Sequence, residues 1–227
     1  MRLNIACGPN MFASSRWINY DRVDMASYLD ALRGFSSTSG MPDHQRRLHE
    51  YLKGGGAVDF RIRDVRDDFP MHEDGSVDAI YLGQMIEHLN PIYEAPRVIK
   101  ECRRMLRPGG TLKITTPDLD LLLDAYNKNE MGRFASDQPE FYRHASPSAQ
   151  LAYIMYGACG PDCTWSNYEG HMFLYTFASM SELLASSGFL PPFSFYRQGG
   201  VSRDAVMASE AVDAGMSHSF AVEVAAS

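Results

Sequence analysis

The stretch from residue 77 to residue 116 constrains the fold of this chain more than any other. Residues 77–82 are mostly apolar and predict a buried strand, and residues 94–107 place apolar side chains at helical spacing. Pro108, Gly109 and Gly110 then predict the end of this helix and a turn into another strand over residues 112–116. A strand, a helix and a second strand form the unit from which parallel sheets are built. The chain is therefore predicted to have an α/β fold.

The other segments continue this alternation of strands and helices. Further strands are predicted over residues 3–7, 17–20, 58–63, 193–197 and 219–224. Helices are predicted within residues 25–56, over 118–129 and 147–156, from a Ser179-x-x-Glu182 capping box to Gly188, and near 203–211. Together these segments predict a doubly wound, mostly parallel seven-stranded sheet.

Only residues 9–16 separate the first two predicted strands. A full parallel crossover needs about 10–12 residues, so the helix in this connection is predicted to be stunted, with about one turn. A dinucleotide-binding fold uses the N-terminus of this helix to hold a pyrophosphate, and it carries a G-x-G-x-x-G pattern that is absent here. A nicotinamide-dependent oxidoreductase is therefore disfavoured.

The composition argues against several classes of partner. The 227 residues carry a net charge of −7, which disfavours binding to nucleic acid or to an anionic membrane surface. No apolar run approaches the ~18 residues of a membrane span, and Met1 and Arg2 lead directly into the first predicted strand, without a signal peptide. Four cysteines without a secretion signal indicate a reducing compartment. We therefore expect a cytoplasmic protein that binds neither nucleic acid nor membrane.

In an open doubly wound sheet, ligands bind beyond the carboxyl ends of the strands. Gly8 follows the first strand, where the absence of a side chain lets a ligand approach the backbone closely. Asp21 follows the second strand, and its carboxylate can accept hydrogen bonds from both hydroxyls of a ribose. A helix N-cap or a turn is the alternative role for Asp21. A glycine and an acid at neighbouring strand ends suit a ligand that contains a ribose and a base.

Several motifs resemble those of the class I S-adenosylmethionine-dependent methyltransferases, and most closely their small bacterial type 11-like members. The pattern of these members runs LN-x-x-CG, W-x-N-x-D, S-x-D-x-I-Y, EHL and LRPGG. This chain carries it at residues 3–8, 17–21, 76–81, 87–89 and 106–110. The resemblance is close over residues 3–118 and looser over 156–189. It implies a Rossmann-like methyltransferase fold with S-adenosylmethionine as the cofactor.

The resemblance also implies roles for residues at four strand ends. The loop after the first strand would pack against the methionine part of the cofactor, although the common G-x-G-x-G pattern is reduced here to Gly8. Asp21 would bind the ribose, Asp64 and Val65 would contact the adenine, and residues after the fourth strand would line the cleft. The expected cofactor-binding residues are Ala6, Cys7, Gly8, Asp21, Asp64, Val65, Gly83, Gln84 and Met85.

Two histidines are candidates for a catalytic general base. His88 follows the fourth strand, and an imidazole with an ordinary pKa near 6.5 suits proton removal at neutral pH. A hydrogen-bonded structural histidine is the alternative, and the preceding Glu87 is expected to anchor a backbone loop. His171 lies in the second region of resemblance, where it either orients or deprotonates the substrate or packs in the interior.

Residues 130–170 are rich in aromatic residues, proline and glycine, and they are expected to form a helical and loop insertion that covers the cleft. The cofactor-binding core then comprises residues 1–129 and 171–227. Tyr168 and Tyr175 are expected to bind substrate, with plain packing as the alternative. Asp118, after the fifth strand, either contacts substrate or caps the next helix, and capping is favoured.

Cys159, Cys163 and His171 are the residues that most resemble a metal site. The spacing of the two cysteines permits zinc, but the sequence shows neither a fourth ligand nor a second cysteine pair. The sequence analysis therefore predicts no metal.

The predicted reaction is the transfer of a methyl group, by in-line displacement, to an oxygen, nitrogen or carbon atom of a small molecule such as a sugar or a secondary metabolite. A non-catalytic methyltransferase-like protein that binds the cofactor or acts as a scaffold is the alternative. Aminopropyl transfer or decarboxylation on the same fold has no support in the sequence. Because the chain begins at the first strand, one side of the cleft is expected to be uncovered or to be shared in a homodimer.

Overall fold

The structure is a computed structural model that describes residues 1–41, 43–137, 144–156, 170–197, 207 and 217–227. Its strands are β1 (Arg2–Ile5), β2 (Trp17–Asp21), β3 (Asp59–Ile62), β4 (Val77–Gly83), β5 (Leu106–Pro117), β6 (Ser194–Arg197) and β7 (Ser219–Ala225). They form one sheet in the order β3-β2-β1-β4-β5-β7-β6. β7 is antiparallel to both of its neighbours, and all other neighbouring strands are parallel. The predicted mostly parallel seven-stranded sheet is confirmed.

The helices lie close to their predicted positions. They are α1 (Ala26–Gly34), α2 (Asp43–Lys53), α3 (Glu94–Met105), α4 (Leu119–Asn127), α5 (Pro147–Tyr156) and α6 (Phe177–Ser186), with 3-10 turns at Ile86–His88 and Met131–Asp137. Of the helical stretch predicted near 203–211, only Met207 is among the described residues. The assignment of residues 130–170 to a separate capping insertion remains a prediction.

Helix α6 begins earlier than predicted, because its capping box is formed by a different pair. The Thr176 hydroxyl accepts the Ser179 N–H at 3.1 Å, and the Ser179 hydroxyl accepts the Thr176 N–H at 2.9 Å. This start places Phe177 in the first turn, where its ring stacks on Phe195 of β6 with 4.7 Å between the ring centroids. Helix α6 therefore starts earlier than the Ser179-x-x-Glu182 pattern predicts, and the residue in its first turn, Phe177, packs against the sheet.

Strand β5 also begins earlier than predicted. Leu106 pairs with Val77 and Thr111 pairs with Ala79, so the residues between Leu106 and Thr111 form a bulge within the strand. Gly109 has a φ of 75°, which favours glycine. Helix α3 ends at Met105, two residues earlier than predicted, so the Pro-Gly-Gly segment does not end the helix but lies inside the strand that follows.

The connection between β1 and β2 contains no helix; residues 6–16 are all described. Two buried asparagines hold this connection in the absence of a helix. The Asn19 side-chain oxygen accepts hydrogen bonds from Asn4 Nδ2 and from the Phe12 N–H, each at 2.9 Å, and Asn4 also donates to the Asn10 carbonyl at 3.0 Å. Phe12 stacks on Trp17 with 3.9 Å between ring centroids, which fixes the loop against the sheet. The predicted stunted helix is therefore absent, and side-chain hydrogen bonds, the aromatic stack and a backbone hydrogen bond from the Cys7 N–H to the Tyr20 carbonyl hold the loop instead.

The main hydrophobic core lies between the central strands and the helices α3 and α6. It includes Ile80 and Leu82 of β4, Val98 and Ile99 of α3, and Leu184 of α6. A second cluster joins α4, the 3-10 turn at Met131–Asp137 and α5. Among the described residues, no helix combines the length and the apolar character needed to cross a membrane.

We predict that the substitution Asn19→Ala lowers the free energy of unfolding by about 2–4 kcal/mol, because the Phe12 N–H and the Asn4 amide lose their buried acceptor. Urea-induced unfolding followed by circular dichroism measures this change. The exposed residue Asn127 at the end of α4 provides the control, and Asn127→Ala should change the free energy by no more than about 0.5 kcal/mol. An equal effect of the two substitutions would show that the asparagine pair does not support the connection.

Candidate functional site

A cleft of about 900 Å³ lies at the carboxyl ends of the parallel strands β1 to β4. It includes the point between β1 and β4 at which the strand order reverses, where open α/β sheets bind their ligands. Its volume is in the range of pockets for small molecules and cofactors. The lining residues are Ala6, Gly8, Asp21, Arg22, Asp64, Val65, Arg66, Gln84, Met85, His88, Leu89, Asn90, Tyr93, Glu94, Gly170 and Met172.

Most of the predicted cofactor residues meet in this cleft. They come from the ends of four strands that are separated in sequence but adjacent in the sheet. The predicted residues that line the cleft are Ala6, Gly8, Asp21, Asp64, Val65, Gln84 and Met85. The tips of the strands therefore converge as expected from a parallel sheet.

Cys7 and Gly83 lie outside the lining of the cleft, which corrects the predicted set. The Cys7 side chain is buried against Leu32 of α1 and Leu48 of α2, and this burial raises the pKa of its thiol. A side chain at Gly83 would meet the ring of Tyr81. Gly83 thus makes room for a neighbouring aromatic ring rather than for a ligand. The sequence predicted which loops line the cleft, but it did not show which way each side chain in a loop points.

Asp21 connects two loops of the cleft. One carboxylate oxygen accepts the Gly8 N–H at 2.7 Å, and the other accepts the Val23 N–H at 3.0 Å. Each carboxylate oxygen has two lone pairs, so both retain the capacity to accept a further hydrogen bond. The turn-forming role and the ribose-binding role predicted for Asp21 are therefore compatible.

Asp64 is paired with Arg66. The Arg66 guanidinium donates from Nε and Nη2 to the two carboxylate oxygens at 2.9 and 2.5 Å. This hydrogen bonding lowers the pKa of Asp64. An adenine amino group would compete with Arg66 for the same oxygens, and the Arg66 side chain, which is 45% exposed, has room to move aside. The adenine contact of Asp64 and Val65 remains a prediction.

Two non-glycine residues of the cleft have left-handed backbone conformations. The φ of Ala6 is 56° and that of Gln84 is 51°. Such a conformation costs about 1–2 kcal/mol for a residue with a side chain, and strained residues of this kind cluster at functional sites. Ala6 follows β1 and Gln84 follows β4, so both lie where the strand order reverses. The Gln84 N–H donates to the Thr115 carbonyl at 2.8 Å, which holds the second of these turns.

A polar cluster is formed at the inner side of the cleft by Glu87, His88, His171 and Tyr175. The rings of His88 and His171 lie edge to face with 4.9 Å between their centroids. The Glu87 carboxylate accepts a hydrogen bond from the Thr116 hydroxyl at 3.0 Å. Glu87 Oε1, His88 Nδ1, His171 Nδ1 and the Tyr175 hydroxyl are all buried and have no hydrogen-bond partner among the residues that the structure describes.

Burial is the main cause of the pKa shifts in this cluster. It raises the pKa of Glu87 to about 8 and lowers the pKa of His88. Burial, reinforced by the neighbouring His88, lowers the pKa of His171 to about 4. Burial and the nearby Glu87 carboxylate raise the pKa of Tyr175. At neutral pH the two imidazoles are therefore uncharged and carry free lone pairs.

The backbone carbonyl of Glu87 anchors a loop, as the sequence analysis expected. It accepts the N–H groups of Met172 and Phe173 at 2.7 and 3.2 Å. These bonds bring His171, which immediately precedes Met172, next to His88. The carboxylate of Glu87 takes no part in this anchoring.

Asp118 is the N-cap of α4, and the capping role is confirmed. One oxygen accepts the Leu121 N–H at 3.1 Å and the other accepts Arg197 Nε at 2.6 Å. The side chain is fully buried, and both oxygens are engaged within the protein. Its alternative role in substrate binding is therefore not supported. Tyr168, a further substrate candidate, lies outside the described residues, as do Cys159 and Cys163.

Several residues of the cleft were not predicted from the sequence. They are Arg22, Arg66, Leu89, Asn90, Tyr93, Glu94, Gly170 and Met172. Asn90 could have been found, because its side chain accepts the Ile92 and Tyr93 N–H groups at 2.9 and 3.1 Å before the start of α3. An asparagine followed by a proline shortly before a predicted helix is a recognisable turn signal. No comparable local signal marks Gly170 or Met172.

Residues 18–114 match the family model of the methyltransferase domain. The ubiquinone biosynthesis O-methyltransferase of Xanthomonas axonopodis pv. citri is 36% identical over 70 residues, which are 31% of this chain and 27% of that protein. An uncharacterized 37.1 kDa protein in transposon TN4556 of Streptomyces fradiae is 33% identical over 100 residues, which are 44% of this chain and 27% of that protein. The chain thus spans about a quarter of the length of these relatives.

Solved structures share the fold at low sequence identity. A S-adenosylmethionine-dependent methyltransferase from Methanosarcina mazei superimposes with a TM-score of 0.54 at 19% identity, over 99% of this chain and 91% of that chain. An O-methyltransferase family protein from Burkholderia thailandensis gives a TM-score of 0.51 at 14% identity, over 100% of this chain and 50% of that chain. These structures share the fold of the chain, and residues 18–114 match the methyltransferase domain, in agreement with the resemblance seen in the motifs.

Proposed function

We propose that the protein transfers a methyl group from S-adenosylmethionine to a small-molecule acceptor. The observation that carries this proposal is the position of Asp21, whose carboxylate lines the cleft and holds the Gly8 N–H while keeping lone pairs for a ligand. A ribose with two adjacent hydroxyls suits such a carboxylate. The oxygen, nitrogen or carbon nature of the acceptor atom stays open.

The residues of the cleft fit this cofactor better than they fit a dinucleotide. A pyrophosphate would require the N-terminus of a helix after β1, and residues 6–16 form none. The exposed backbone of Ala6 and Gly8 offers room for the methionine end, Asp21 would hold the ribose, and Val65 with Asp64 would contact the adenine. S-adenosylmethionine supplies, when bound, a methyl group on a sulfonium that is already an electrophile.

The main contribution of the protein to this reaction would be positioning. Holding two reactants in line can lower a barrier by about 7–11 kcal/mol, and excluding water adds to the effect. His88 lines the cleft, whereas His171 lies behind it, in edge-to-face contact with His88. Removal of a proton from the acceptor by one of these histidines remains a prediction.

The net charge of −7 supports a small-molecule acceptor rather than nucleic acid. A non-catalytic cofactor-binding protein is the second candidate, and it shares the cofactor site. Incubation with S-adenosylmethionine and a panel of hydroxylated and amino-bearing small molecules separates the two. Release of S-adenosylhomocysteine that depends on the added acceptor supports the enzyme, and saturable cofactor binding without turnover across the panel supports the alternative.

We predict that Asp21→Asn weakens the binding of S-adenosylmethionine at least tenfold, because a hydrogen bond to a charged acceptor contributes about 1.5–3 kcal/mol and the amide is uncharged. Isothermal titration calorimetry measures the affinity. Asp30→Asn is the matched control, since the Asp30 side chain on α1 is 76% exposed and lies outside the cleft lining. If Asp21→Asn binds as tightly as Asp30→Asn, Asp21 does not hold the ribose.

We also predict that Ala6→Gly raises the free energy of unfolding by about 0.5–1 kcal/mol, since the relief of the left-handed φ exceeds the entropy lost by glycine. Thermal or urea unfolding tests this. The matched control is Ala185→Gly on the exposed side of α6, where the same change should lower the free energy of unfolding by about 0.5–1 kcal/mol. Destabilisation by both substitutions would contradict the strain assigned to Ala6.

A further inference from the structure

The polar cluster described above contains groups that the cofactor site does not use. Glu87, His88 and His171 each offer a ligand atom, and these atoms all lie within 4.8 Å of one another. Buried polar atoms in native proteins almost always have a hydrogen-bond partner. Here one oxygen of Glu87 and one nitrogen of each histidine have none within the described part of the chain. Three residues that each have an unpartnered buried atom therefore meet at one place, and this arrangement suits a shared ligand.

We propose that Glu87, His88 and His171 bind one divalent transition-metal ion of the zinc, iron or manganese group. Two imidazoles and one carboxylate form a ligand set that suits these ions, whereas magnesium and calcium prefer oxygen ligands alone. The proposal departs from the expectation of no metal, which considered His171 only together with Cys159 and Cys163.

The burial of the three side chains agrees with metal binding, because the unpartnered atoms of Glu87, His88 and His171 are shielded from solvent. A buried carboxylate needs a positive partner, and an ion between the three residues would provide one. An ion at this place would therefore give a partner to all three groups at once.

The surroundings also hold the ligands in place. The carbonyl of Gly170 contacts the His88 ring, and those of Ile154 and Met155 contact the His171 ring. A ligating histidine commonly donates its second N–H to such an acceptor. The bonds from Met172 and Phe173 to the Glu87 carbonyl fix the loop that carries His171. Ligand atoms around one ion stand about 3–3.5 Å apart, so the side chains need to close in by about 1–2 Å.

Three protein ligands leave coordination positions open, and His88 places the ion beside the cleft. An oxygen atom bound there would lose its proton more readily, because the charge of the ion stabilises the anion. If the methyl acceptor is a hydroxyl, the site would both position and acidify it. This last step rests on the proposed function, but the binding of the ion does not.

The test uses the full chain, stripped of metal with a chelator and dialysed against Zn²⁺ or Co²⁺. We expect one equivalent of metal by mass spectrometry, and a visible absorption band for the Co²⁺ protein. Glu87→Gln and His171→Ala should each weaken metal binding at least about tenfold. His144→Ala, at an exposed histidine outside the cluster, should leave it unchanged.

The outcomes separate the metal site from the cofactor site. Thermal unfolding of the metal-free variants shows whether they fold, and Glu87→Gln keeps the shape of the original side chain. His171→Ala should retain its affinity for S-adenosylmethionine, and Asp21→Asn should retain one equivalent of metal. The absence of saturable metal binding in the unsubstituted protein would overturn the proposal, as would equal losses in His171→Ala and His144→Ala.

Discussion

The hydrogen bonds of the Asn19 side chain hold the connection between β1 and β2 in the absence of a helix. Its oxygen accepts from both Asn4 and the Phe12 N–H, so one buried amide fixes the strand, the loop and the neighbouring strand together. The loop then approaches the end of β2 closely enough for the Gly8 N–H to reach Asp21. The geometry of the cleft therefore depends on a polar network in the interior rather than on the packing of a helix.

This constraint also determines what the cleft can bind. A longer connection with a full helix would direct an N-terminal dipole towards the ligand and favour a phosphate. The short loop instead presents backbone and the Asp21 carboxylate, which suit an uncharged ribose. The left-handed conformation of Ala6 is one consequence of so short a turn. The residue at this position is alanine, although glycine would adopt the same φ with less strain.

The sequence allowed the strand number and the sheet type to be predicted, and most of the residues expected to bind the cofactor line the cleft, because apolar periodicity and strand ends are local signals. The hydrogen bond between Asn4 and Asn19 was not predicted, because it joins residues of two different strands and no periodic pattern in the sequence marks it. Cys7 was assigned to the cleft because adjacent loop residues look alike in sequence while their side chains face opposite ways. The proximity of His171 to His88 could not be deduced either, since it depends on the backbone bonds between Glu87 and the segment after His171.

Glu87 shows why the cluster calls for an ion rather than for packing alone. Its backbone carbonyl anchors Met172 and Phe173, and any residue could supply that carbonyl. Its side chain is fully buried, and the Thr116 hydroxyl satisfies only one of its oxygens. An apolar side chain of similar volume would avoid the desolvation of a carboxyl group. The positive ion that we propose these residues share accounts for a glutamate at this place, beside two histidines.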